Sequence, residues 1–191
     1  FRVLAGIWPW GRGHIYLPAD AGMVAIGRRA FLAEGTLRNA LALPSPDIPD
    51  AVVMDALEKV GLERLAERLD GEGDWVDVLS GAEQQRFSFA RLLLLRPQWI
   101  LLGDATDSLD TAAADAMLAL ITQALPEAAI VLIGQHPGSA EAFDRRLTLH
   151  RATSGEVLLK AVSARRQAAR TRRPAALAVV DWLRKGYGRE D

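Results

Sequence analysis

Ser80 and Glu83, three residues apart in LSGAEQQR (Leu79–Arg86), are where residue types and spacing first suggest chemistry. A serine followed at i+3 by glutamate, ahead of an apolar helical run, makes a capping box, and that alone accounts for both side chains. The same helix start also suits an anion. Its first N–H groups and the positive end of its dipole face outward, Ser80 adds a donor, and the small Gly81 permits close approach. A lone S-x-x-E is common; its continuation is what makes the pattern specific. The helical run ends at Arg96-Pro97, and an apolar strand then enters an acidic loop, WILLGDATDSLD (Trp99–Asp110). Asp104 and Asp110 are carboxylates of that loop, and His136 follows a second apolar run, IVLIG. Taken singly, the two aspartates are acids near a helix start at Thr111, where negative charge is favoured anyway. A lone histidine before Pro137 is more often incidental than functional.

These residues need elements to hold them. Met23–Ile26, Trp99–Leu102 and Ala129–Gly134 read as strands, too short and apolar for helices. Between them come helical periods at Phe31–Leu43, Asp50–Val60, Leu62–Leu69, Gly81–Leu95 and Thr111–Leu125, punctuated by Pro44, Pro46, Pro49, Gly61, Pro97 and Pro126. Phe1–Ile7 reads as the end of a helix, WPWGRG as a turn, and His14–Leu17 as a short β-prone run. A short helix at Ser139–Phe143 precedes a hairpin, Arg146–His150 and Glu156–Ala161, around TSG. The alternation predicts a parallel α/β sheet with a helical block inserted at 50–95.

Composition bounds the rest. Half of the 191 residues are hydrophobic and a quarter charged, as in a globular protein with a real core. With no cysteine, disulfides and thiolate metal sites are excluded. No apolar run approaches the roughly 18 residues of a membrane span, and no secretory leader is evident. The net charge of −1 divides unevenly: residues 151–191 hold ten Lys/Arg against four Asp/Glu, the first 150 thirteen against twenty. An acidic body thus carries a basic tail, SARRQAARTRR and beyond, read as a solvated linker and frayed terminal helix.

In their order and spacing, these segments resemble the ATP-binding cassette (ABC) ATPases. Leu79–Arg86 is similar to their signature motif, Trp99–Asp110 to the Walker B strand with its D-loop, and His136 to the switch histidine. DWVDVLS and FLAEGTLRNAL are similar to bacterial exporter-type proteins that fuse a permease to an ATPase, relatives of the peroxisomal fatty-acyl transporters. The resemblance covers roughly residues 1–150 and implies an α/β fold, the P-loop NTPase parallel-sheet core without its P-loop strand, with an inserted α-helical subdomain. Residues 1–44 would be the remainder of the first half of the core and 45–96 the helical subdomain. Residues 97–162 would be the second half and 163–191 the basic tail.

The resemblance further implies ATP and Mg²⁺ as cofactors. As partners it implies a second ABC ATPase domain, docked head to tail, and a permease transmembrane domain, with no nucleic acid. Such a domain works on the cytoplasmic face of the inner membrane. Ser80 and Gly81 would meet the γ-phosphate of the partner's nucleotide, with Ala82, Glu83 and Gln84 beside them. His136 would contact the γ-phosphate in cis and Asp104 would polarise the attacking water, while Arg28, at the Q-loop position, and Asp110, at the end of the D-loop, would join the nucleotide-binding residues.

The chain departs from that pattern in four main places and, more mildly, in a fifth, Ala82. It contains no G-x-x-x-x-G-K-[ST], and Phe1 falls just past where that loop would end, which reads as a truncation. Gly103 stands at the Mg²⁺-orienting aspartate, and Asp104, one methylene short, at the usual glutamate; a one-residue slip would instead leave Ala105 as the base. Arg28 replaces the Q-loop glutamine, and Ala82 the second signature glycine. The expectation is a fragment of a transporter ATPase that turns over little or no ATP by itself. One alternative is an impaired cassette lending its signature to a partner. Another is a DNA-repair or chromosome-structure ATPase, against which FLAEGTLRNAL argues. An exposed apolar sheet edge would favour aggregation or a partner.

Overall fold

A computed structural model of the chain describes residues 1–8, 10, 14–16, 22–42, 47–134, 143, 145–151 and 157–164. The chain divides into two compact units, Phe1 with Ala21–Ser139 and Arg2–Asp20 with Ala140–Asp191. The basic tail beyond 164, the short helix expected near 139 and His136 lie outside the described residues.

The first unit is built on strands β1 (Met23–Ile26), β2 (Trp99–Gly103) and β3 (Ala129–Ile133), all parallel and in the order β1-β2-β3. Met23 is opposite Trp99 and Trp99 opposite Ala129, so the C-terminal ends of the three strands fall level. Every residue of β2 is buried, which is why WILL shows no alternation: both faces of a central parallel strand are covered.

The helices are α1 (Leu37–Ala42), α2 (Asp50–Lys59), α3 (Trp75–Val78), α4 (Gly81–Leu95) and α5 (Thr111–Ala124), with a 3₁₀ turn at Glu63–Arg68. Phe31–Leu43 is not one helix. Gly35 takes φ +104° and its carbonyl accepts from the Trp75 indole at 2.9 Å, so α1 starts only after Thr36, whose hydroxyl accepts from the Asn39 N–H. The Arg38 and Leu37 N–H groups donate to the Leu69 and Gly71 carbonyls, tying α1 to the end of the 3₁₀ turn. Arg38 also pairs with both Asp50 and Asp70. Helix α4 packs on α1, α2 and α5, burying Phe87, Phe89, Ala90 and Leu92. It ends where Arg96, at φ 45°, precedes Pro97; a residue before proline is pushed out of the helical region.

In the second unit, β4 (Arg145–Arg151) and β5 (Val157–Ala164) form the expected antiparallel hairpin, with an irregularity between Arg146 and Leu147. Residues 2–7 carry the hydrogen bonds of a helix C-terminus, Ile7 N–H to Arg2 C=O and Gly6 N–H to Val3 C=O, with Gly6 at φ 73°. His14–Tyr16 is not a strand. Among the described residues, no helix is long and apolar enough to cross a membrane.

Candidate functional site

Parallel α/β sheets present their binding residues beyond the carboxyl ends of their strands. Here Arg28 lies two residues past β1, Asp104 one past β2 and Gly134 one past β3. Asp104 takes φ 52°, a left-handed conformation that aspartate tolerates better than most residues, and its N–H donates to the Ile133 carbonyl at 2.9 Å. A Cβ built on Gly134 would lie 3.2 Å from Asp104 Oδ1, so glycine there gives the carboxylate room. Arg28, 70 % exposed, donates through Nε to Asp107 Oδ2 at 2.9 Å and through Nη2 to the same oxygen. That hydrogen bond and the Asp107 charge push the guanidinium pKa up, with Asp104 adding a smaller push in the same direction.

Gly103 carries a further constraint. A Cβ placed on it would sit 2.3–2.8 Å from the Phe1 ring, so the space of any side chain at 103 is already filled by an aromatic ring. Trp75 and Trp99, both buried, are packing residues.

The polar side chains at the N-terminus of α4 are all hydrogen-bonded. The Ser80 hydroxyl accepts from the Glu83 N–H at 3.3 Å and donates to Glu83 Oε2 at 2.9 Å, and the Ser80 N–H donates to Glu83 Oε2 at 3.0 Å. This is the reciprocal capping box read from the sequence. Arg64 holds the other carboxylate oxygen of Glu83, and this ion pair, helped by the Ser80 N–H, keeps the Glu83 pKa below the usual carboxylate range. Gln84 turns back, its amide donating to the Val76 and Leu79 carbonyls at 2.8 and 2.9 Å. Glu83 and Gln84 therefore both have intramolecular partners. The Gln84 N–H goes to the Ser80 carbonyl, which leaves the N–H groups of Gly81 and Ala82 as the first-turn donors without an intrahelical acceptor.

The acidic loop packs on this helix end. A Cβ on Gly81 would approach Ser108 Oγ to 3.3 Å, so the glycine sets how closely loop and helix meet. Asp110 caps α5, accepting from the Ala113 N–H at 2.8 Å. Below them lies Gln85, 1 % exposed. It accepts from the Ser108 N–H at 2.9 Å and donates to the Arg28 carbonyl at 3.3 Å. The structure thus brings Arg28, Ser80–Gln84, Asp104 and Asp110 into one unit, while His136 lies outside the described residues. Sequence reading missed Asp107, Ser108, Arg64 and Gln85. The sequence does hold a signal for Gln85: it falls four and seven residues before the buried Phe89 and Leu92, a polar residue on an apolar stripe.

No family model matches the chain. It is 35% identical over 139 residues to the inner membrane ABC transporter ATP-binding protein YddA of Escherichia coli K12, covering 72% of this chain and 24% of that protein. It is 34% identical over 171 residues to a lysosomal cobalamin transporter of Mus musculus, covering 82% and 28%. A solved structure of a bacterial Atm1-family ABC exporter with ATP bound superposes with a TM-score of 0.57 at 24% identity, over 66% of this chain and 23% of that one, a likeness of fold. The chain spans about a quarter of the length of the curated relatives it matches. The signature-like helix, the buried strand ahead of its acidic loop and these relatives agree, and the chain belongs to the ATP-binding proteins of ABC transporters, with their P-loop NTPase fold.

Proposed function

We propose that this chain is part of an ABC transporter ATPase domain that lends its signature helix to a partner cassette's nucleotide and is itself a poor hydrolase. In the assembled transporter, ATP binding and hydrolysis would drive transmembrane transport. Residues 45–96 form the helical subdomain in this reading, 1–44 and 97–162 the core, and 163–191 the tail.

The observation that carries the proposal is the start of α4, a helix of 15 residues, where the first-turn N–H groups of Gly81 and Ala82 have no acceptor among the described residues. A partner's phosphate would accept from these N–H groups at the positive end of the helix dipole. The Ser80 hydroxyl would turn from Glu83 to the phosphate, while Arg64 and the Ser80 N–H keep Glu83 in place. At the strand ends, Asp104 supplies a carboxylate to accept a proton from water. A general base must come within about 2.6–3.2 Å of its target, and Asp104 is a methylene shorter than glutamate on a backbone fixed to Ile133.

Magnesium does not fit the side chains at these strand ends. Gly103 offers no oxygen, the Phe1 ring fills the space where one would stand, and the Arg28 cation sits close enough to Asp104 for their charges to interact.

A permease would dock beside FLAEGTLRNAL. Phe31 is exposed there at a cavity of about 250 Å³ lined also by Val24, Gly27, Arg29 and Ser88. The test is ATP-dependent association with the P-loop-bearing cassette of the same transporter. Association is expected with the native chain and lost with Gly81→Asp, whose carboxylate would repel phosphate; equal association of both would refute the reading.

A further inference from the structure

We propose that Gln85 is a positioning residue that makes the Arg28 segment, the acidic loop and the start of α4 one mechanical unit. Its consequence for transport rests on the function proposed above; the linkage itself does not.

Two ties join the Arg28 segment to the acidic loop. The outer one is the ion pair of Arg28 with Asp107, with the arginine largely in water. Exposed pairs of this kind contribute little and weaken in salt. The inner one is the Gln85 side-chain amide. It spends its acceptor on the Ser108 N–H and its donor on the Arg28 carbonyl, two backbone groups on segments 79 residues apart, measured from Arg28 to Asp107. Gln85 itself is buried and both bonds are part-buried, so removing the amide strips two backbone groups of the partner that joins them. Water reaching them from the exposed Arg28 and Ser108 side would satisfy each separately without linking the segments. The side chain rises from the second turn of α4, the helix whose cap is already fixed by Ser80, Glu83 and Arg64. Displacement of the Arg28 segment, next to the exposed Phe31, must therefore move Ser108 and the helix end together or break one of the two part-buried Gln85 hydrogen bonds.

A methionine at 85 would match the shape and lose both bonds; a glutamate would keep an acceptor for Ser108 and lose the donor to Arg28. Hydrogen exchange of the 191-residue chain, followed residue by residue by NMR, separates positioning from bulk stability. Gln85→Met is expected to speed exchange of the Ser108 amide by about tenfold or more, with β2 amides changing less than about twofold. Gln85→Glu is expected to keep Ser108 protected to within about twofold. In about 1 M salt, where the screening length falls to about 3 Å, the native Ser108 protection is expected to persist. Should Gln85→Met fail to fold, the scalar coupling across the hydrogen bond from Ser108 ¹⁵N to Gln85 ¹³Cδ in the native chain decides directly, its presence supporting the linkage. Absence of that coupling, unchanged Ser108 exchange in Gln85→Met, or acceleration equal to that of β2 would each overturn the proposal. None of these readouts involves nucleotide, so failure here leaves the proposed function standing, and failure of the association test leaves the linkage standing.

Discussion

The start of α4 and the end of β2 belong to the same unit and meet through Ser108, yet they are furnished in opposite ways. At the helix start each polar side chain from Ser80 to Gln85 is hydrogen-bonded: Ser80 with Glu83, Glu83 also with Arg64, Gln84 with two carbonyls, Gln85 with two loops. At the strand end, Gly103 brings no side chain, the Phe1 ring occupies its place, and Asp104 sits on a left-handed backbone. In the proposed function the helix start would act by presenting backbone N–H groups, which depend on geometry and survive side-chain drift. The strand end would act by functional groups, and a single substitution removes them. A surface that serves a neighbour's ligand can thus outlast the site that serves its own.

The contrast can be broken from either side. The largest effect is expected from Gly103→Asp, which introduces a carboxylate but drives its Cβ into the Phe1 ring. Overpacking of this kind costs about 1–3 kcal/mol, read by urea denaturation, and adding Phe1→Ala should recover most of it. An unchanged midpoint in the single variant would show that the ring does not hold that space. Next comes Ser80→Ala, which removes the α4 cap. A loss of about 1 kcal/mol is expected, with faster exchange of the Glu83 amide.

Smallest is Glu83→Gln, and its effect depends on pH. Arg64 lowers the Glu83 pKa in the folded state, so the ionised carboxylate stabilises fully above the ordinary glutamate value and loses that contribution as pH falls through the folded one. The variant should be less stable by about 0.5–1 kcal/mol near neutrality, and the gap should close in acid. A gap that stayed constant with pH would remove the ion pair from the account.

Much of the frame was legible in the sequence because it follows from local rules. Unbroken apolar runs became β2 and β3, Arg96-Pro97 ended α4 where the residue before proline must leave the helix, and S-x-x-E formed the reciprocal cap. Phe31–Leu43 misled because its apolar spacing is helical while Gly35, bonded to Trp75 forty residues on, holds the first half open. The pairing of Arg28 with Asp107 and the double bond of Gln85 were invisible for the same reason: each joins segments distant in the chain, and periodicity reports only on neighbours. In the site, positions along the chain suggested Arg28, Asp104 and the Ser80–Glu83 cap, but not that Arg64 also holds Glu83 or that Gln84 bonds back to two carbonyls.

The central claim is that the helix start serves a partner while the strand end does not work as a motor. Phosphate release from magnesium-ATP by the purified chain, beside Asp104→Asn, tests it most directly. No release above background and no difference between the two proteins is expected; magnesium-dependent release that Asp104→Asn abolishes would overturn the proposed function.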